Sequence, residues 1–183
     1  MKEIIFLIGF RAVGKTTIGR KLAERLGFSF LDTDVLICEQ KGATVSEIVA
    51  AEGWDEFRRC EQEILRTLGT RQRCVIATGG GAILHRHLWP QLKKYGHVVW
   101  LSADPDIICQ RLEAASAGQR PSLTGKAVCD EVRDILAIRE PMYREIADII
   151  VDTGRLSMAG IVNRILQDVN SSCSGCAGLS NPA

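Results

Sequence analysis

A glycine-rich segment near the N-terminus carries the clearest chemical pattern in this chain. Residues 9–16 read GFRAVGKT and match G-x-x-x-x-G-K-[ST] at every fixed position. Backbone N–H groups of such a loop turn toward phosphate oxygens, and the helix that starts behind it adds the positive end of its dipole. In this pattern Lys15 reaches the β- and γ-phosphates, and the Thr16 hydroxyl ligates Mg²⁺. The segment therefore predicts a site for a nucleoside triphosphate.

We expect the nucleotide to contact this loop along its whole length. The residues concerned are Gly9, Arg11, Ala12, Val13, Gly14, Lys15, Thr16 and Thr17. The loop alone does not identify a reaction, because switches, motors, ATPases and small-molecule kinases all share it. Residues elsewhere in the chain must therefore decide the function.

Two carboxylates in the stretch LDTD, residues 31–34, are candidates for the acceptor side of a transfer reaction. At the mouth of a sheet, one carboxylate could hold Mg²⁺ through water while the other faces an acceptor hydroxyl as general base. The plainer interpretation is a helix whose N-cap is Asp34. The nearby phosphate loop favours the functional interpretation.

Three consecutive glycines in TGGGA, residues 78–82, form a second unusual feature. Glycines at a strand end add no packing and cost conformational entropy, so they suit a backbone that closely approaches a ligand, although a plain turn is the alternative. Arg58 and Arg139 lie in helical patterns and could equally be solvated surface residues. Arg120, in RPSLTGK, could neutralise charge that develops during phosphoryl transfer, or it could be a solvated loop residue.

Alternating strand-like and helix-like segments position these residues. The predicted strands are 3–8, 28–32, 74–78, 97–102 and 148–152. The predicted helices are 15–26, one that opens with a capping box at 44–47, and then 56–68, 105–115 and 157–168. Short apolar strands separated by helices predict an α/β protein with a parallel sheet covered on both faces. The carboxyl ends of the strands would then hold the phosphate loop, the two carboxylates and the triple glycine.

Composition restricts the possible classes of partner. The net charge is +1, so no general basic field favours nucleic acid or an anionic membrane. The N-terminus lacks a signal-peptide pattern, and no apolar run reaches the roughly 18 residues of a membrane span, so we expect a cytoplasmic protein. We expect five cysteines to be reduced buried or half-buried thiols, and we expect no function for the CxxC at 173–176. The HRH stretch at 85–87 predicts two surface histidines rather than a metal site.

Taken in order, the motifs resemble those of the shikimate kinase family over about residues 3–168. The matching stretches are GFRAVGKTT, DTD, FR, TGGG, RPSLTGK and REPMYREIAD. The resemblance implies a three-layer α/β/α P-loop NTPase of the nucleoside monophosphate kinase type, with a five-stranded parallel sheet. It also implies one kinase domain over 1–169, with substrate-binding helices at about 33–61 and a lid at about 115–128. We expect 170–183 to be a flexible tail.

The resemblance also implies an activity and a set of residue roles. The family transfers the γ-phosphoryl group of ATP to the 3-hydroxyl of shikimate, with Mg²⁺, in chorismate and aromatic amino acid biosynthesis. Asp34 would contact the ring hydroxyls and act as base, and Asp32 would support the water shell of Mg²⁺. The remaining roles are the carboxylate grip of Arg58 and Arg139, backbone N–H groups of Gly79, Gly80 and Gly81, a phosphate contact by Arg120, and an adenine contact by Arg155.

Two other functions stay open at this stage. One is a kinase for another small acceptor, such as gluconate or a nucleoside monophosphate; such a kinase would not be expected to combine DTD, FR and TGGG. The other is a nucleotide-dependent switch or binding module without an acceptor, which would need neither the triple glycine nor the arginine pair. For the kinase we expect only small-molecule partners, ATP and shikimate, and a monomeric chain, with no nucleic acid or membrane partner.

Overall fold

Five short strands form one parallel sheet in the computed structural model. The model describes residues 3–114, 124 and 127–174, and for residues 172–174 it describes the backbone only. The strands are β1 (Ile4–Ile8), β2 (Ser29–Asp32), β3 (Cys74–Ala77), β4 (Gly96–Ser102) and β5 (Ile149–Asp152). Their order across the sheet is β2-β3-β1-β4-β5, and every neighbouring pair is parallel. The predicted strands are therefore confirmed, and their bounds agree to within one residue.

Seven α-helices connect and cover these strands in the described part of the chain. They are α1 (Lys15–Leu26), α2 (Thr33–Lys41), α3 (Val45–Thr67), α4 (Trp89–Leu92), α5 (Pro105–Ala114), α6 (Val128–Ile146) and α7 (Met158–Ser174). Short 3₁₀ turns lie at Leu68–Thr70, Ala82–Leu84 and Arg86–Leu88. Parallel neighbours require crossover connections, which is why helices separate the strands in sequence.

The sheet separates two apolar clusters, as the side-chain alternation along β1 shows. Ile5 and Leu7 belong to a cluster that includes residues of α1, α5 and α7. Phe6 and its two neighbours of the same parity, Ile4 and Ile8, belong to a second cluster with residues of α4 and the end of α3. Successive strand residues point to opposite faces, so helices cover both sides of the sheet. The three-layer α/β/α architecture predicted from the sequence is confirmed.

The helix α3 begins as predicted but is longer than either predicted segment. Thr44 and Glu47 form a reciprocal capping box in which the Glu47 N–H donates to the Thr44 hydroxyl at 3.3 Å. Gly53, at φ 82°, breaks the helical geometry, so α3 is kinked there. A third apolar cluster, around Ile37, Ile48 and Phe57, packs α2 against α3. This pair of helices stands at the carboxyl edge of the sheet beside β2.

Three departures from the predicted elements concern helices. Strand β2 runs directly into α2. Helix α6 contains Pro141, which has no backbone N–H to donate and so interrupts the hydrogen-bond pattern of the helix. The helix α7 continues to Ser174, past the predicted end near 168, because its apolar face extends to Val169 against the core. Residues 170–174 of the predicted tail are thus helical, and 175–183 lie outside the described residues.

The cysteine prediction is confirmed for the five cysteines whose side chains are described. All five are free thiols: Cys60, Cys74 and Cys109 are buried, and Cys38 and Cys129 are partly buried. Burial raises the pKa of the Cys74 thiol above its usual range. The side chains of the CxxC lie outside the described residues. Within the described ranges, no helix is both long enough and apolar enough to cross a bilayer.

Candidate functional site

The phosphate loop joins the end of β1 to the start of α1. Its backbone uses positive φ at three residues: 139° at Gly9, 62° at Ala12 and 94° at Gly14. A Cβ at Gly9 would lie 2.4 Å from the carbonyl oxygen of Leu101, so this glycine is required by both backbone angle and space. The ammonium of Lys15 donates to the carbonyl oxygens of Gly9 at 2.9 Å and Phe10 at 2.7 Å. The lysine is therefore held over the loop that it was predicted to serve.

The threonine of the loop faces the first of the two predicted carboxylates. The Thr16 hydroxyl donates to Oδ2 of Asp32 at 2.7 Å, and Oδ1 of Asp32 accepts from the backbone N–H of Asp34 at 3.1 Å. Asp32 is therefore the N-cap of α2, and the interpretation of Asp34 as that cap is wrong. Asp34 lies in the first turn of the helix, is 8% exposed and faces the cleft.

A cleft opens beside the phosphate loop at the carboxyl edge of the sheet. Its lining combines aromatic residues with three arginines and two carboxylates. The lining residues are Phe10, Arg11, Asp34, Val45, Trp54, Phe57, Arg58, Glu61, Gly80, Gly81 and Arg139. The cleft thus contains both cations predicted to hold an acid and the carboxylate predicted to act as base.

Arg58 is held from two sides on α3. Its Nη1 donates to Oε2 of Glu61 at 2.7 Å, and the Glu61 side chain is fully buried. Its guanidinium carbon lies 5.3 Å from the ring centre of Trp54 and 5.7 Å from that of Phe57, within cation–π range. A helical arginine held in this way is not a solvated surface residue.

Arg139 approaches the same cleft from α6. Its Nη1 donates to the carbonyl oxygen of Gly80 at 3.0 Å, and the Tyr143 hydroxyl donates to the same oxygen at 2.8 Å. Burial lowers the pKa of the Arg139 guanidinium from its usual value, and the nearby charge of Arg58 lowers it further. A carboxylate ligand between the two cations would relieve this repulsion and accept from both forks.

The triple glycine provides room for the side chains around it. A Cβ at Gly79 would lie 2.4 Å from Oε1 of Glu61 and 2.6 Å from Oδ1 of Asp34, and a Cβ at Gly81 would lie 1.8 Å from Nη1 of Arg58. Real Cβ atoms do not make contacts this short, so a plain turn is not a sufficient explanation for these residues. The Gly79 N–H donates to the Thr33 hydroxyl at 2.8 Å and is thus used within the protein.

Two sets of contacts made by charged side chains near the site were not predicted from the sequence. Glu61 binds both Arg58 and the ring of His85, whose Nε2 lies 3.2 Å from Oε2. His85 is thus part of the support of the cleft and not a surface histidine as predicted. Arg111 donates to the carbonyl oxygens of Thr153, at 2.8 Å, and Ala12, at 3.4 Å, and so connects the phosphate loop to the turn after β5. The described residues contain no cluster of His, Cys, Asp or Glu able to bind a metal without further ligands.

The structure does not bring Arg155 to the cleft, and it does not describe Arg120. Arg155 follows β5 on the surface, where its side chain is 87% exposed and its Nε lies 3.2 Å from Oδ2 of Asp152. Arg120 and most of the predicted lid at 115–128 lie outside the described residues. Within that range, Thr124, Ala127 and Val128 are described.

Known proteins match this chain along nearly its whole length. The sequence model of the shikimate kinase family matches residues 11–170. Shikimate kinase 2 of Yersinia enterocolitica is 44% identical over 153 residues, which cover 83% of this chain and 87% of the relative. The structure of shikimate kinase from Acinetobacter baumannii, in complex with shikimate, is 38% identical with a TM-score of 0.86 and covers 93% of this chain and 94% of that one. A gluconokinase from Sinorhizobium meliloti, at 18% identity and a TM-score of 0.66 with 98% of each chain covered, shares the fold alone.

Proposed function

This chain belongs to the shikimate kinase family, and we propose that it transfers the γ-phosphoryl group of ATP to the 3-hydroxyl of shikimate. The products would be shikimate 3-phosphate and ADP, in aromatic amino acid biosynthesis. The observation that carries the proposal is the position of Asp34, Arg58 and Arg139 in one cleft beside the phosphate loop. The cleft brings together a base and two anion-binding forks, as a small hydroxy acid requires.

The donor side consists of the phosphate loop and the start of α1. Lys15 now rests on two loop carbonyls, and we propose that it turns to the β- and γ-phosphates when ATP binds. The N–H groups at the start of α1 point toward the same place and favour negative charge there. The two positive-φ glycines of the motif, Gly9 and Gly14, keep the loop open for phosphate.

Thr16 and Asp32 fit a magnesium ion as the oxygen ligands that Mg²⁺ prefers. Their side-chain oxygens already lie 2.7 Å apart, at the end of the loop where the γ-phosphate would lie. We propose that Thr16 holds the ion directly and Asp32 through water. When bound, the ion would neutralise charge on the β- and γ-phosphate oxygens.

The acceptor side prepares the hydroxyl for attack. We propose that Asp34 accepts the proton of the 3-hydroxyl as the oxygen attacks the γ-phosphorus. The bond from that phosphorus to the bridging oxygen then breaks, and ADP leaves with the electron pair. Asp34 suits this role because it lies in a largely buried position on α2, where a helix fixes its direction.

Arg58 from α3 and Arg139 from α6 would bind the carboxylate of shikimate together. Planar guanidinium groups match a carboxylate with paired hydrogen bonds, which a lysine cannot do. Glu61, Trp54 and Phe57 hold one guanidinium, and the Gly80 carbonyl holds the other, so neither must be ordered during binding. Such preorganisation raises affinity because less side-chain entropy is lost.

The remaining roles rest on the family resemblance. We propose that Arg120 contacts the transferred phosphate and that Arg155 lies near the adenine. The exposed side chain of Arg155 is free of the core and can turn toward a nucleotide. The single domain over 1–169, the lid at 115–128, the monomeric state and the cytoplasmic location remain predictions.

ADP release measured with different acceptors tests the proposed function. The acceptors are shikimate, gluconate, a nucleoside monophosphate and none, each with ATP and Mg²⁺. We expect turnover with shikimate and with none of the other acceptors. Turnover with gluconate or a nucleotide instead would identify another small-molecule kinase, and equal ADP release without an acceptor would indicate a nucleotide-dependent switch or ATPase.

A further inference from the structure

Glu131 is a buried carboxylate on α6 that the proposed reaction does not use. It is 1% exposed, and each of its oxygens has a partner in the described structure. Oε1 pairs with Nη2 of Arg11, a residue of the phosphate loop. Oε2 accepts from the backbone N–H of Thr124 at 2.9 Å and from its hydroxyl at 3.1 Å. A carboxylate buried to this degree requires such partners, because removal from water is costly.

The partner of Glu131 lies at the boundary between the donor and acceptor sites. Arg11 belongs to the phosphate loop by its backbone, while its side chain lines the acceptor cleft. Its backbone N–H nitrogen lies 3.4 Å from the position of a Cβ at Gly80, beside the triple glycine. Its Nε is buried and has no hydrogen-bond partner among the described residues. The guanidinium therefore has an unused N–H donor close to the boundary between the phosphate loop and the acceptor cleft.

We propose that Glu131 is a positioning residue for the phosphoryl transfer, which acts by holding Arg11 toward the γ-phosphate. The inference rests on the proposed function for its kinetic consequences. Glu131 and Arg139 lie on the same helix, about 12 Å apart along its axis at 1.5 Å per residue. The helix α6 therefore holds one arginine of the phosphate loop and presents another to the acceptor cleft. A fixed donor aimed at developing charge lowers the barrier more than a mobile one.

A double-mutant cycle on kcat tests whether Glu131 acts through Arg11. The variants are Glu131→Gln, Arg11→Gln and the double variant, with Arg133→Gln as control on the exposed face of α6. We expect each single change at the pair to lower kcat about 10-fold or more, with KM for shikimate changed less than about 3-fold. The double variant should match Arg11→Gln within about 2-fold, and the control should match the unmodified chain. Additive losses in the double variant would overturn the proposal, because they would mean independent roles.

Nucleotide binding gives a second test that needs no acceptor. Affinity for ADP and for a non-hydrolysable ATP analogue is measured by calorimetry, together with the melting temperature. Glu131→Gln should weaken the analogue several-fold and change ADP affinity less than about 2-fold, because only the analogue carries a γ-phosphate. A lower melting temperature with unchanged analogue affinity and kcat would show a purely structural role. If the unmodified chain failed to turn over shikimate, the proposed function would fall while this binding difference would still decide the role of Glu131.

Discussion

Arg58 donates a hydrogen bond from Nη1 to Oε2 of Glu61 at 2.7 Å, one turn away on α3. The arginine borders the open cleft, whereas the glutamate has no exposed surface. A buried anion thus fixes the direction of a cation that is proposed to bind the acceptor. Arg139 has a similar arrangement with a backbone carbonyl instead of a carboxylate.

Loss of the buried glutamate should weaken acceptor binding. In Glu61→Gln, Arg58 and His85 lose their common anionic partner, so we expect KM for shikimate to rise about 10-fold or more. KM for ATP should change little, because the phosphate loop does not contact Glu61 in the described structure. Steady-state kinetics with each substrate varied in turn measure both. Glu63→Gln, at a partly exposed position on the same helix, is the matched control. An unchanged KM for shikimate would contradict the role of Glu61 as support for Arg58.

Removal of either proposed carboxylate ligand should affect the acceptor and spare the nucleotide. In Arg58→Ala and Arg139→Ala, each variant loses a charge-assisted pair, so we expect shikimate to bind at least about 10-fold more weakly. Calorimetric titration with shikimate and with ADP separates the two ligands. Arg59→Ala, whose side chain is 56% exposed, serves as control. Loss of ADP binding with intact shikimate binding would show that the assignment of these arginines to shikimate is wrong.

Replacement of the proposed base should slow the chemical step. Asp34→Asn keeps the size of the side chain and removes its ability to accept a proton, so kcat should fall roughly 10²–10⁴-fold. Single-turnover kinetics with saturating ATP and shikimate measure this step. Asp55→Asn, an exposed change on α3, should have normal activity. A value of kcat near that of the unmodified chain would exclude Asp34 as the base.

A methyl group at the triple glycine should displace Arg58, which is proposed to bind the acceptor. Gly81 has φ of −100°, which any residue adopts, so Gly81→Ala tests space rather than backbone strain. The new Cβ would lie 1.8 Å from Nη1 of Arg58 and would force that guanidinium to move. We expect KM for shikimate to rise with KM for ATP nearly unchanged. Gly160→Ala in α7, where the nearest atom would be 3.3 Å away, is the control. Equal behaviour of the two variants would show that the space at Gly81 is not used.

The sequence predicted the sheet and the phosphate loop well because both follow from local patterns. Apolar runs bounded by glycine define strands such as β1, and a fixed spacing defines the loop. The motif LDTD indicated the metal and base candidates, but the cap of α2 is Asp32 and not Asp34. A difference of two residues at a helix start is typical of boundaries read from sequence. Those errors do not move any of the predicted cleft residues.

Buried charges were the part of the site that sequence patterns could not predict. Glu61 and Glu131 occur in helices rich in charged residues, where most glutamates face water. Their burial depends on partners distant in sequence: the ring of His85 for Glu61 and the loop arginine Arg11 for Glu131. One usable signal existed, because Glu61 follows Arg58 by three residues, a spacing at which helical side chains meet. No local pattern indicated Glu131.

The central claim is that one cleft holds shikimate within reach of the phosphate loop. A crystal structure of the chain with ADP, Mg²⁺ and shikimate tests it most directly. We expect the shikimate carboxylate between Arg58 and Arg139, with its 3-hydroxyl facing Asp34 and the β-phosphate of ADP at Lys15. Shikimate bound away from these residues, or turned so that its carboxylate faces Asp34, would contradict the account.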